Sequence, residues 1–366
     1  MHADLSQYII WPCNPNSDPP VYQLPNDILL EILHLYLNDT HASDRYKRLG
    51  QLRRVCSWWK ALSDVPSLWA HVWIGHPLSA TKRSLAKSKD ALLDVVYTPI
   101  NNPGPQSQWA ERMEANDLLL KNVYRWKSFR YNGYSNPIFM DTAFVDMALV
   151  DQHSLTAPNL NYIHFHSSSD ISVTLPFATR LRHISLEKCF APWDSGRFSG
   201  LETLRLDSLG ERGPSMDQFT NFLRASPGLV TLSLWGLYLQ GPLSNYAEII
   251  NLESLETFEM WRTTCQTIGD YLAILRIPNC TRFLLYNNHL PDNKLFHPST
   301  EHLFPVFRTI MASCDITNIE VDEDDATITS EGDRRIMLQI KWSTTPPPQD
   351  RTTSEGLRNL LETCLV

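Results

Sequence analysis

Leu24–Trp73, LPNDILLEILHLYLNDTHASDRYKRLGQLRRVCSWWKALSDVPSLWAHVW, holds more apolar side chains than a small helical unit needs, and its reading decides the architecture. Pro25 and Asp27 suit a helix start, since proline presets φ for the first turn and an early carboxylate complements the helix dipole. Ile28, Leu29, Ile32, Leu33 and Leu37 then recur at helical spacing. After the polar break from Asn38 to Asp44, a second helix is expected to carry Leu49, Leu52, Val55, Cys56, Trp58, Trp59 and Leu62. At about 100° per residue these cover roughly half its circumference, a width that calls for two neighbours. A third short element, Pro66-Ser67-Leu68-Trp69, follows.

The opening Leu24-Pro25, the Ile/Leu-rich first helix, Val55-Cys56 followed by Trp59, and Pro66 to Trp69 together resemble an F-box, most of all the variant in large families of fungal F-box proteins. The resemblance implies three helices that bind a Skp-type adaptor and, through it, a cullin-RING ubiquitin ligase. It implies adaptor contacts for Leu24, Pro25, Ile28, Leu29, Ile32, Leu33, Leu52, Val55, Cys56, Trp59, Leu68 and Trp69. Two features depart from the pattern: a long polar connection between the first two helices, and Gly50 inside the second, at about 1 kcal/mol against alanine. The other reading of the same residues is a helical subdomain whose tryptophans are simply its core.

The whole chain has 366 residues, 43 % apolar and 10 % aromatic, enough for two domains with a sizeable core. Its net charge of −8 argues against nucleic acid as the main partner, because phosphate binding needs a clustered basic surface. Seven scattered cysteines without a Cys-x-x-Cys pair fit reduced thiols in a cytoplasmic or nuclear protein. Residues 1–20 read as a loose tail, not a signal peptide, and no stretch is long enough for a membrane span.

Beyond residue 75, a strand is expected over Ala91–Tyr97 and a helix from Ser107 to about Val123. From Trp126 onward a unit of the form Leu-x-x-Leu-x-Leu recurs, each time followed by a loop or helix. Its central residues Ile163, Ile184, Leu204, Leu232, Phe258 and Phe283 follow one another at 21, 20, 28, 26 and 25 positions; Trp126–Tyr131 is a further copy, and Cys280–Leu285 and Ile316–Val321 are weaker ones. A period of that size points to a solenoid in which each strand turns its fourth and sixth residues inward. The segments resemble degenerate leucine-rich repeats. The fold class expected is therefore α/β: an F-box-like module over 21–75, a leucine-rich-repeat solenoid with a parallel β-sheet arc over 76–330, and a cap over 331–366. The cap comprises a strand over Ile336–Trp342 and a last helix carrying Leu357, Leu360, Leu361 and Cys364.

By alternation, the third, fifth and seventh residues of each unit face away from the core. Trp235, Trp261 and Tyr286 then occupy equivalent positions on successive units, beside Arg205, Glu259 and Arg282. Aromatic and arginine residues so grouped suit a partner-binding surface, since they bury much area at little entropic cost; coverage by another segment of the chain is the competing reading. His164, His166 and His183 share that face, but solvated histidines are the commoner case and no metal is expected. Glu320–Asp325 reads as a solvated acidic loop. With no phosphate loop, nucleophile elbow or dinucleotide fingerprint, no catalytic residue and no cofactor are expected. The expectation is a substrate-receptor subunit of an SCF-type ubiquitin ligase, with an unknown target protein as second partner. The alternative is a repeat scaffold with no ligase role.

Overall fold

The computed structural model describes residues 24–38, 42–74, 77–98, 106–133, 156–173, 177–191, 193, 198–210, 212–237, 249–261, 271, 274–287, 316–321, 325–330 and 337–342. The tail over 1–20 and the last helix expected around Leu357–Cys364 lie outside these residues. Two compact units form, one within Met1–Asn161 and Pro176–Arg180, the other within Tyr162–Leu175 and Leu181–Val366.

The first unit begins with α1 (Asn26–Asn38), α2 (Ala42–Leu52), α3 (Ser57–Ser63) and α4 (Pro66–Trp69). Leu29, Leu30, Leu33 and Leu37 of α1 meet Leu49, Trp58, Leu62, Val65, Leu68 and Trp69 in one apolar cluster. Trp69 Nε1 donates to the Ser63 carbonyl at 2.6 Å, which satisfies the one polar atom this large ring brings into the core. The continuous second helix expected from the sequence is instead two helices. After Leu52 the backbone tightens into i→i+3 bonds, Arg54 N to Gln51 O and Val55 N to Leu52 O, and Cys56 is fully extended. The break resolves the over-wide apolar arc: it turns Trp58 and Leu62 into the core and leaves Val55 outside. Gly50 consequently sits in the last turns of α2, not mid-helix.

Next come β1 (His71–Ile74), α5 (Leu78–Ser88), β2 (Leu93–Tyr97), α6 (Gln106–Leu120) and β3 (Trp126–Gly133). β1, β2 and β3 pair in parallel. β1 has no counterpart among the expected elements; its burial alternates, with Val72 and Ile74 inside. Arg125 ties the α5–β2 connection to β3 by donating from Nε to the Ala91 carbonyl and from Nη2 to Ser88 Oγ.

The second unit contains β4 (Tyr162–Ser172), β5 (His183–Phe190), β6 (Thr203–Gly210), α7 (Met216–Arg224), β7 (Thr231–Leu237), β8 (Ile250–Asn251), β9 (Thr257–Trp261), β10 (Leu275–Arg276) and β11 (Arg282–Asn287). It ends with β12 (Ile316–Val321), β13 (Asp325–Ser330) and β14 (Met337–Trp342). Within it β4, β5, β6, β7, β9 and β11 pair successively, all in parallel. Their register aligns Ile163, Ile184, Leu204, Leu232, Phe258 and Phe283, the residues the repeat pattern aligns. The fourth and sixth positions from β4 to β9 are buried, as are Leu181, Leu201, Leu229, Leu255 and Cys280 at the first. The repeat also shows in the hydrogen bonds. The carbonyls of Arg182, Glu202, Val230 and Glu256 each accept two backbone N–H groups from the start of the next strand. On the return side β8 and β10 form a small parallel pair of their own. The capping box of Ser215 and Gln218 starts α7, whose Phe219, Phe222 and Leu223 are buried.

The end of this sheet departs from expectation. Ile316–Val321 is not the next parallel strand. That place belongs to β14, which pairs with β11 and aligns Leu338 with Phe283 and Ile340 with Leu285, while β13 and β12 follow antiparallel. β14 also alternates apolar and polar residues, so either segment suited the slot, and pairing decided between them.

One backbone feature repeats with the strands. The eighth residue of three successive units, Lys188, Ser208 and Gly236, is left-handed with φ of 53°, 54° and 54°. Only the third is glycine, so the first two are held in a sparsely populated region by the turn that ends each strand. Lys188→Gly is expected to raise stability by about 1 kcal/mol, read as a higher urea midpoint at unchanged slope.

A pH dependence is built into the first unit. Burial, reinforced by the Arg45 guanidinium, pulls the His71 imidazole down to about 4 from its ordinary 6.5, and moves His34 in the same direction. The unfolded chain therefore binds protons near pH 6.5 that folded His71 refuses until about pH 4. Stability from this group is complete above the first value and lost as pH falls toward the second, on the order of 3 kcal/mol in all. Urea midpoints at pH 7.5 and 4.5 should differ less for His71→Gln than for the parent.

Candidate functional site

α1 carries an apolar arc wider than the core can take, with Asp27, Glu31, His34 and Asn38 clustered on its polar side. Leu29 and Leu33 are 2 % exposed, whereas Leu24, Ile28, Ile32, Leu35 and Tyr36 are 38 %, 42 %, 45 %, 61 % and 42 % exposed. Steps of three and four residues place this second set on one face. Exposed large apolar side chains grouped on one side of a helix mark a candidate partner surface. Arg48 of α2 lies over the Tyr36 ring at 4.8 Å, and His34 Nε2 shares a hydrogen bond with Ser67 Oγ at 3.0 Å. These contacts hold the stripe's last turn in place.

The twelve adaptor-contact residues expected from the sequence divide by burial. Leu24, Pro25, Ile28, Ile32 and Val55 lie open on the surface, and Leu52, Cys56 and Trp59 are half-buried against the core. Leu29, Leu33, Leu68 and Trp69 are corrected: at 3 % exposure or less they have no area to offer a partner and are the packing that holds α1 in place. Leu35 and Tyr36 belong to the outer stripe and were missed. Their signal is present, because Leu24, Ile28, Ile32 and Tyr36 step by four alongside the inner series Leu29, Leu33 and Leu37.

The second set lies on the sheet of the other unit. Register brings Trp235 beside Trp261 and Trp261 beside Tyr286. The two tryptophan rings stack at 4.4 Å and 28°, and the Arg205 guanidinium sits 4.1 Å over the Trp235 ring, forming a three-member stack across β6, β7 and β9. Arg205 also reaches Asp207 at 3.3 Å, and Ser233 Oγ donates to Glu259 Oε2 at 3.0 Å. Arg282 is exposed, and the Tyr286 side chain lies outside what is described. The face is not uniformly open: Ser233, Asp207 and Leu284 are buried, and both tryptophans are half-buried. Trp235 Nε1 is enclosed without a hydrogen-bond acceptor among the described residues. Of the histidines on this face, His166 Nδ1 lies 2.6 Å from Glu187 and His183 Nδ1 lies 3.1 Å from Thr203 Oγ1. Among the described residues no three side chains form a metal-binding group, and no helix is long and apolar enough to cross a membrane.

Residues 21–74 match a family model described as F-box-like. No curated protein and no solved structure matches the chain. The matched segment covers α1 to α4 and ends at β1, so the outer stripe of α1 belongs to the F-box-like domain.

The division of α1 into two faces has a direct check. Leu33→Ala is expected to cost about 2–5 kcal/mol of unfolding free energy, because it opens a cavity in the core. Ile32→Asp, one residue away, should stay within about 0.5 kcal/mol of the parent. Urea unfolding of the two variants separates the faces.

Proposed function

We propose that this chain is the substrate-receptor subunit of an SCF-type ubiquitin ligase: its F-box-like helices grip a Skp-type adaptor and thereby a cullin, and its strand repeats hold a target protein. The observation that carries the reading is the exposed apolar stripe of α1 inside the F-box-like domain. A lone folded chain gains nothing by leaving Ile28, Ile32 and Leu35 in water. Burying each against a partner is worth up to about 1.5–3 kcal/mol. In this role the chain does no chemistry. It raises the local concentration of a target lysine near the ubiquitin-carrying enzyme, in the cytoplasm or nucleus.

The repeated strands are taken as a degenerate leucine-rich-repeat solenoid. The reading is supported by the in-register apolar columns, the paired backbone hydrogen bonds and the left-handed eighth residue. The target surface is assigned to the Arg205–Trp235–Trp261 stack with Glu259 and Arg282, where large aromatics and an arginine meet as they do in binding hot spots.

Purified full-length chain is expected to retain a Skp-type adaptor stoichiometrically. Ile28→Asp with Ile32→Asp should abolish retention at unchanged thermal stability. Absence of binding by the parent would favour a repeat scaffold without a ligase role. Trp235→Ala with Trp261→Ala should keep the adaptor and lose the proteins whose abundance rises on proteasome inhibition. Unaltered capture by that folded variant would remove the stack from the target surface.

A further inference from the structure

The F-box-like helices and α5 together line a groove that neither binding role uses. It has a volume of about 430 Å³ and is lined by Arg53 and Arg54 after α2, Lys60 of α3, Trp69 of α4, and Arg83 and Lys87 of α5. That volume falls within the range of small-molecule sites, about 300–1,000 Å³. Five cations converge here in a chain whose net charge is −8. Among the described residues one carboxylate pairs with them: Asp64 accepts hydrogen bonds from both Arg53 and Lys87. Burial by itself would push the Asp64 carboxyl up, but those two bonds outweigh it and hold the group below the usual carboxylate range, so it stays ionised. Among the described residues Arg54, Lys60 and Arg83 have no ion-pair partner.

Helix ends supply an ordinary reason for some of these charges. Arg53 and Arg54 follow the C-terminus of α2, and Lys60 and Lys87 lie in the last turns of α3 and α5, where cations are favoured. The arithmetic still leaves a surplus. Three helix ends contribute at most about half a negative charge each, and Asp64 contributes one, against five positive charges. Arg83 is mid-helix, where no such reason applies. Trp69 closes the groove from the core side, with Lys87 Nζ 4.9 Å from its ring, so the cations cannot disperse inward. Like charges held together on three short segments repel one another, and a multivalent anion removes that repulsion. Arginine adds planar forks suited to phosphate oxygens.

We propose that this groove is a binding site for a small soluble polyphosphate, held by Arg54, Lys60 and Arg83 together with Arg53 and Lys87. The site is independent of the adaptor and target surfaces and does not rest on the ligase reading. The test is calorimetric titration of the full chain with inorganic tripolyphosphate at fixed ionic strength. Lys60→Glu with Arg83→Glu changes two exposed side chains and should weaken binding more than about tenfold, one factor of ten being about 1.4 kcal/mol. Lys121→Glu with Lys127→Glu, equal in charge and elsewhere on the same unit, should change it less than about twofold. If the glutamate pair does not fold, Lys60→Gln with Arg83→Gln replaces it, with the same loss expected. No tripolyphosphate binding, or equal weakening by both pairs, overturns the proposal. Binding of a phosphoserine peptide without binding of tripolyphosphate overturns it in favour of a phosphoprotein ligand.

Discussion

No strand in the second unit can bury its own leucines. Leu204 and Leu206 leave water only because Ile184 and Leu186 lie on one side in register and Leu232 and Leu234 on the other. The stacking of apolar columns is therefore the constraint from which the rest of that unit follows. It fixes the parallel direction, since each chain segment must return to the same edge before laying down the next strand. It fixes the bifurcated backbone bonds at Arg182, Glu202, Val230 and Glu256, which set each new strand at one offset. The left-handed turn at Lys188, Ser208 and Gly236 recurs for the same reason, because strands in common register must leave the sheet at a common point.

The outward side of that sheet is a consequence, not a separate design. Once the fourth and sixth positions are inside, the seventh positions line up across neighbouring strands, and two successive tryptophans there have to touch. Arg205 joins from the fifth position of the preceding strand, and its cation lies over the indole face. A partner meeting this surface would find rings already stacked and half-immobilised, which lowers the entropy lost on binding.

The helical domain follows a different logic, in which one helix serves two surfaces. The inner series of α1 anchors the domain through Leu29, Leu33 and Leu37, and the outer series through Ile28, Ile32 and Leu35 has no cover among the described residues. The two series are interleaved, so a change on one side acts next door to the other. The break at Cys56 gives this arrangement its second half. By ending α2 early it sends Trp58 into the core and frees the backbone to place Arg53, Arg54 and Lys60 around one groove.

The order of elements was legible from residues alone wherever periodicity was strong. Ile28 to Leu37 read as a helix, and the strands around Ile184, Leu204, Leu232 and Phe258 as a parallel ladder, because each rests on local spacing and on a common burial demand; Pro66–Trp69 was legible only as a short separate element. Which of two apolar neighbours faces inward was not legible: Leu29 and Ile28 are equally apolar, and only packing against Leu49 and Trp69 assigns the first to the core and the second to water. The break at Cys56 and the choice of β14 over Ile316–Val321 beside β11 were likewise tertiary decisions, since each alternative satisfied the local pattern. By itself, then, the sequence determined the periods, and with them the kinds of element and the alignment of the repeats. Faces, partners and the convergence of five cations came from three-dimensional packing, because they depend on which surfaces are left after the cores close.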